Sequence, residues 1–419
     1  MKKNLFFIIV MILIFTFSVT FLISGCTGES EETVRSTAKE ATTEVTEGVA
    51  ESKEEVIEED MNEADPFISE HMAGLEEYYT AMKLDWITPE GDVPTAGNNL
   101  ILTKGEVKQI QDSNYTYAVI ENNLAGEYSM ASTKGIEDLF AYLNVEQIAF
   151  TSAEWDPAKQ KTDVETVLAL NPDVIIGHPI DKVTSTEIFK PIVDAGIPIA
   201  IYDTKPEGWE YGREMIGLSG NDGYGIGRIM AEEMNRLLGD EGKVGFVYYD
   251  DVYYICNVID EAAMDCLETN YPTMEVVEKT GWVVEDEAGD VAAAIIQKYP
   301  DIEGLFGTYM VPAMYMVGAC KEAERDDIVI VTFGVDMPVL LNLIEGGNIK
   351  SVTTDTPYYF GFNVAILGAY GLLGKDPPGG YFAIPNIQIT LDNIKEVWDL
   401  ALNIPFPNEL EEALQKVGK

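Results

Sequence analysis

Twice along this chain, short apolar runs alternate with helical stretches in the same order, and this doubled β–α alternation restricts its fold more than any other feature. Tyr117-Ala118-Val119-Ile120 reads as a strand, 129–143 as an amphipathic helix and 147–151 as a second strand. A helix over 163–170 stops at Asn171-Pro172. Val174-Ile175-Ile176 is a third strand, 187–195 a helix and 197–202 a fourth strand. The order then restarts, with helices expected over 227–238, 258–270, 288–298 and 312–324 and strands over 243–249, 274–279, 305–307 and 328–332. Leu170-Asn171-Pro172-Asp173-Val174-Ile175-Ile176-Gly177 rhymes with Lys298-Tyr299-Pro300-Asp301-Ile302 running on to Leu305-Phe306-Gly307. Each half also closes on an acid, Tyr202-Asp203 and Val335-Asp336.

Apolar strands alternating with helices imply parallel sheets covered on both faces. The expected fold class is therefore α/β, with two similar lobes, each a parallel sheet with helices on both faces. Ligands of such sheets bind beyond the carboxyl ends of the strands, so two facing lobes make a cleft that hinge motion can close. Gly223-Tyr224-Gly225-Ile226-Gly227 opens a helix, but Met230 stands at the third glycine position of a dinucleotide loop. It reads as the connection between lobes. No phosphate loop, zinc-protease helix or serine elbow is present, and no catalytic residue, cofactor or metal is expected.

Charge narrows the partners. The chain carries 72 acidic against 27 basic side chains, a net charge of −45, which argues against nucleic acid. Two histidines argue against a histidine-rich metal site. Beyond Cys26, the cysteines Cys256, Cys266 and Cys320 are expected as buried free thiols.

The amino-terminal end is segmented. Lys2 and Lys3 precede an uncharged apolar run over 5–23 and then Ser24-Gly25-Cys26, the layout of a secretory signal; an uncleaved membrane anchor is the alternative. Leu22-Ile23-Ser24-Gly25-Cys26 resembles the lipobox of bacterial lipoproteins, which implies lipidation of Cys26 and attachment to a bilayer. Residues 27–66 hold fourteen Asp/Glu, three Lys/Arg and no aromatic residue, and read as an acidic disordered tether; an isolated helix is the alternative. The expected organisation continues with an N-terminal extension over 67–110 and a first lobe from 111–219 plus about 356–384. The second lobe takes 220–355 plus about 385–398, and 399–419 is a C-terminal extension.

Further local features carry a family likeness: Asp156-Pro157-Ala158-Lys159-Gln160, Asn171-Pro172-Asp173-Val174-Ile175-Ile176, Ala195-Gly196-Ile197-Pro198-Ile199, Tyr299-Pro300-Asp301-Ile302, Thr332-Phe333-Gly334-Val335-Asp336 and Gly346-Gly347-Asn348-Ile349. In this order they resemble the periplasmic sugar-binding proteins of the ribose and galactose type, the ligand-capturing components of ABC importers, over roughly 115–398. The resemblance implies lobes joined by a multi-strand hinge, in a lipid-anchored, monomeric, extracytoplasmic binding protein that gives a sugar or related polar solute to a membrane permease, without catalysis. A receptor that senses without transport and a secreted sugar-acting enzyme using Glu154 and Asp203 as an acid/base pair are the alternatives.

Sugar recognition needs acceptors for hydroxyls and an aromatic face for the ring. By the resemblance, Asp203, Asp336 and Asp355 fall where carboxylates contact the sugar, Asn257 where relatives often carry arginine, and Tyr309 and His178 just past strands. Aromatic candidates are Tyr128, Trp155, Trp282 and Tyr254; Glu121, Asn122 and Glu154 follow the first two strands. Each has a plainer alternative, since a strand-end Asp or Asn often caps the next helix and a Trp or Tyr often packs in a core. The chain departs from ribose-type relatives at Thr204, where arginine is usual, and at Ala125-Gly126-Glu127-Tyr128, where paired phenylalanines are usual. These departures permit another sugar, a polyol or a ligand carrying positive charge.

Overall fold

A computed structural model describes residues 60–419 apart from positions 125 and 252; the signal segment, Cys26 and the tether up to residue 59 lie outside the described residues. Along Thr116–Glu121 (β2), Tyr117 and Val119 point to one face and Ala118 and Ile120 to the other, and both faces are buried. The same two-sided burial holds in Val174–Gly177 (β4) and Ile199–Tyr202 (β5). These strands therefore sit inside a sheet rather than on its surface.

The first sheet is entirely parallel and has seven strands, in the order β1 (Pro94–Ala96), β12 (Tyr381–Ile384), β6 (Leu218–Asn221), β5, β4, β2 and β3 (Glu146–Ser152). The second has six strands, in the order β13 (Ile387–Ile389), β11 (Ile349–Thr354), β10 (Val329–Phe333), β9 (Gly304–Gly307), β7 (Gly242–Tyr249) and β8 (Met274–Trp282). Only the β11–β13 pairing is antiparallel. The chain passes between sheets three times, at Asp222, at Asp355–Thr356 and between Ile384 and Ile387. Asn386 Nδ2 donates to Asp222 O at 2.8 Å and ties two of these crossings together.

One helix fixes the geometry of the hinge side. Pro357–Leu373 is apolar and buried on almost all sides, as a central helix must be. It crosses the Gly126–Tyr142 helix at very short range. A Cβ on Gly361 would meet Ser132 O at 1.8 Å, and one on Gly135 would meet Tyr358 O at 2.0 Å, so only glycine allows this approach.

The ends of the chain differ from expectation. Asp60–Pro66, expected as the close of the tether, lies against the folded body: Lys104 pairs with Asp60 and Glu63, and Tyr142 OH donates to Asp65 at 3.0 Å. Asp65 also caps the Pro66–Ala73 helix. Polar letters hid this, because the anchoring groups are carboxylates rather than apolar side chains. Part of 67–110 becomes β1 at the edge of the first sheet. Residues 83–92 touch both lobes: Arg228 binds Asp85 at 2.7 Å and Lys83 O, while Lys182 binds Glu90 and Lys205 binds Asp92. The Ile394–Leu402 helix, expected partly with the second lobe, packs on the first lobe's helices. Asn408–Lys416 packs on Met337–Ile344 of the second lobe.

Candidate functional site

Because every strand of the first sheet runs the same way, Glu121, His178, Asp203 and Asn221, at or just past the ends of β2, β4, β5 and β6, gather on one edge. His178 Nδ1 lies 2.9 Å from Glu121 Oε2, and its Nε2 lies 3.7 Å from Asp203 Oδ2. The two carboxylates outweigh the desolvation that opposes the charged ring, and lift the His178 pKa to about 9. Gln160 holds the loop from below, donating to His178 O at 2.8 Å and accepting from Ile180 N. Asp203 itself sits at φ +66°, a backbone setting that favours Asn and Asp among side chains other than glycine.

The other lobe supplies an aromatic wall. Tyr253, which precedes the Tyr254–Asn270 helix, donates its hydroxyl to Asp203 Oδ2 at 3.1 Å, and Thr204 Oγ1 donates to the same oxygen. Trp155 meets Tyr253 edge-on with ring centroids 5.6 Å apart. Glu154 and Trp155 are both left-handed, at φ +54° and +61°, and Trp155 stays 48% exposed, an unusual setting for a large aromatic residue. Lys182 Nζ stands 3.8 Å over the ring of Tyr254.

At the hinge, the close helix crossing brings Tyr128, in the first turn of Gly126–Tyr142, to Asp355, just ahead of Pro357. The Tyr128 hydroxyl donates to Asp355 Oδ2 at 2.8 Å. Burial, opposed by this hydrogen bond and helped by the charge of Asp203, raises the Asp355 pKa to about 7. Burial and the neighbouring Asp355 and Asp203 also hold the Tyr128 hydroxyl well above its ordinary range.

Five buried polar atoms in this neighbourhood have no hydrogen-bond partner: Glu121 Oε1, Asn122 Nδ2, His178 Nε2, Asn221 Oδ1 and Asp355 Oδ1. Glu121 and Asn221 go beyond the strongest sequence candidates. Glu121's place at the end of β2 hints at its role, whereas the letters around Asn221 hold no apolar run to mark a strand end.

The remaining candidates have partners of their own within the chain. Asp336 caps Met337–Ile344, accepting from Val339 N at 3.0 Å, and its charge acts on Glu127 across the lobes. Asn257 lies inside a helix and its amide donates to Tyr249 O and Asp251 O, so it secures a loop. Trp282 is 2% exposed, donates to Val247 O and packs against Tyr249 and Tyr309. Tyr309 OH donates to Glu285 at 2.6 Å. Glu154 is exposed and paired with Lys159. Cys256, Cys266 and Cys320 are buried free thiols. Among the described residues no group of His, Cys, Asp and Glu is placed to hold a metal, and no helix is long and apolar enough to cross a membrane.

Known proteins resemble this chain in sequence and in fold. The ABC transporter periplasmic-binding protein YphF of Escherichia coli is 24% identical over 232 residues, which is 50% of this chain and 65% of that protein. The D-apiose import binding protein of Paraburkholderia graminis is 26% identical over 187 residues, 42% of this chain and 56% of that protein. This chain thus spans less than two thirds of the length of these two relatives. The arabinose-binding protein AraP of Geobacillus stearothermophilus superposes with a TM-score of 0.62 at 22% identity, over 68% of this chain and 99% of AraP, and shows the same two-lobed fold. Residues 117–375, which include both sheets' central strands and the Glu121–His178–Asp203 cluster, match the periplasmic binding protein domain family. The chain belongs to that family.

Proposed function

We propose that this protein is the solute-binding component of an ABC importer, capturing a sugar between its lobes outside the cytoplasm and delivering it to a membrane permease. Capture is reversible and involves no chemistry on the solute. In this reading Cys26 is lipidated, residues 27–59 tether a monomeric body to the membrane, and Asp203, Asp355, Glu121, Asn122, His178, Tyr128 and Trp155 contact the ligand.

The observation that carries the reading is the set of five buried polar atoms without a hydrogen-bond partner at the first sheet's strand ends and the hinge. A buried polar group without a partner is costly, and sugar hydroxyls, which donate and accept, are suited to supply the missing bonds. Trp155 gives the apolar ring face an aromatic surface. The names of the relatives, one importing D-apiose and one binding arabinose, support the same class of solute.

Calorimetric titration with D-apiose, D-arabinose, common hexoses, hexosamines and polyols tests the proposal. Saturable binding of at least one of them is expected. Binding of none would overturn it.

A further inference from the structure

The candidate cleft is short of positive charge. Glu121, Asp203 and Asp355 contribute three buried carboxyl groups, and among the described residues the one cation touching them is His178. The lysines around the rim are committed elsewhere: Lys159 to Glu154 and Ser152 O, Lys182 to Glu90, Lys205 to Asp92. Thr204 occupies the position after Asp203 and brings only a hydroxyl.

The carboxyls are not equally served. Glu121 has His178 on Oε2. Asp203 has His178 nearby and accepts from Tyr253 and Thr204 on Oδ2. Asp355 is 0% exposed, receives one neutral phenol on Oδ2 and nothing on Oδ1, and faces the charge of Asp203. A neutral solute closing this site would leave Asp355 without a counter-charge of its own, with His178 shared between Glu121 and Asp203, and buried unpaired charge is strongly unfavourable. Burial first, and the charge of Asp203 second, raise the Asp355 pKa to about 7, so this carboxyl is held less readily in its charged form than an exposed one.

We infer that the cleft selects an amine-bearing sugar or polyol, whose ammonium group is seated on the free Oδ1 of Asp355 with Asp203 beside it, while its hydroxyls meet Glu121, Asn122 and His178. This rests on the binding-protein reading above and names the solute class of that site. An ammonium donates up to three hydrogen bonds and adds the missing charge. Charge-assisted bonds are about twice as strong as neutral ones, so the gain over a hydroxyl is on the order of ten-fold or more in affinity.

The test is calorimetric titration of the full chain at pH 7.5 with matched pairs that differ in one group: D-glucosamine and D-glucose, D-galactosamine and D-galactose, D-glucamine and D-sorbitol. At least one amine should bind ten-fold or more tighter than its hydroxyl partner. Asp355→Asn should shrink that ratio at least ten-fold while changing the neutral partner's affinity less. Should that variant fail to fold by circular dichroism, Asp203→Asn provides the same comparison. A neutral partner that binds as tightly as its amine in every pair overturns the inference, and so does an unchanged ratio in the variant. If no pair binds but D-arabinose or D-apiose does, the inference falls and the binding-protein reading stands. If nothing binds, both fall.

Discussion

Tyr253 of the second lobe donates its hydroxyl to Asp203 Oδ2 of the first across 3.1 Å, so the lobes are joined by a protein–protein hydrogen bond to a carboxylate that is also a candidate ligand contact. A hydrogen bond to a charged group contributes about 1.5–3 kcal/mol. Tyr253→Phe keeps the ring against Trp155 and removes only this bond. The unliganded variant should populate more open forms, visible as a larger radius of gyration by small-angle scattering. An unchanged scattering profile would show that the bond does not hold the lobes.

Asp203 and Asp336 should separate cleanly in function. Asn tolerates the left-handed backbone at Asp203, so Asp203→Asn changes charge with little strain. It should weaken ligand affinity at least ten-fold with a small effect on the melting temperature. Asp336→Ala should do the reverse, costing about 1 kcal/mol of stability through loss of the helix cap and leaving affinity nearly intact. Titration calorimetry and thermal melts on both variants decide it.

Gly361→Ala places a methyl group where Ser132 O already stands. The two helices must part, which costs about 1–3 kcal/mol or more. Since that crossing sets Tyr128 against Asp355, the variant should lose both stability and ligand affinity. A melting temperature within a degree of the native protein would refute the close approach.

Acidity should stabilise the unliganded protein. Burial raises Asp355 to about 7 and Asp260 to about 7, from ordinary values of 3.8, and both therefore bind protons more tightly when folded. Each contribution is fully present below about pH 4 and is lost as pH rises towards 7, at about 1.4 kcal/mol per pH unit. His178, lifted from 6.5 to about 9, acts in the same direction between those values. The melting temperature should be higher at pH 5 than at pH 8.5, and Asp260→Asn should flatten the profile between pH 4 and 7. A maximum above pH 8 would contradict these shifts.

Much of the fold was legible because β2, β4 and β5 are buried on both faces and read as unbroken apolar runs. Leu218–Asn221 was not, since Leu-Ser-Gly-Asn has no such run and earns its place only by pairing with β5 and β12. Pro357–Leu373 is apolar all round, so it shows no helical period. At the site, strand ends could be located but side-chain partners could not. Asp203 and His178 come together because parallel strands align their ends. Asn257 and Trp282 look alike as candidates, yet their polar groups are taken up by backbone carbonyls that only the folded chain brings near.

The place of β12 between β6 and β1 has a kinetic meaning. Strands β7 to β11 follow one another along 242–354, so five strands of the later lobe are available for pairing before Tyr381–Ile384 exists. The first sheet must wait for a segment made after the whole of β7 to β11 before its seven strands can join. A nascent chain therefore emerges with its first sheet unfinished while five of the six strands of the second are already made.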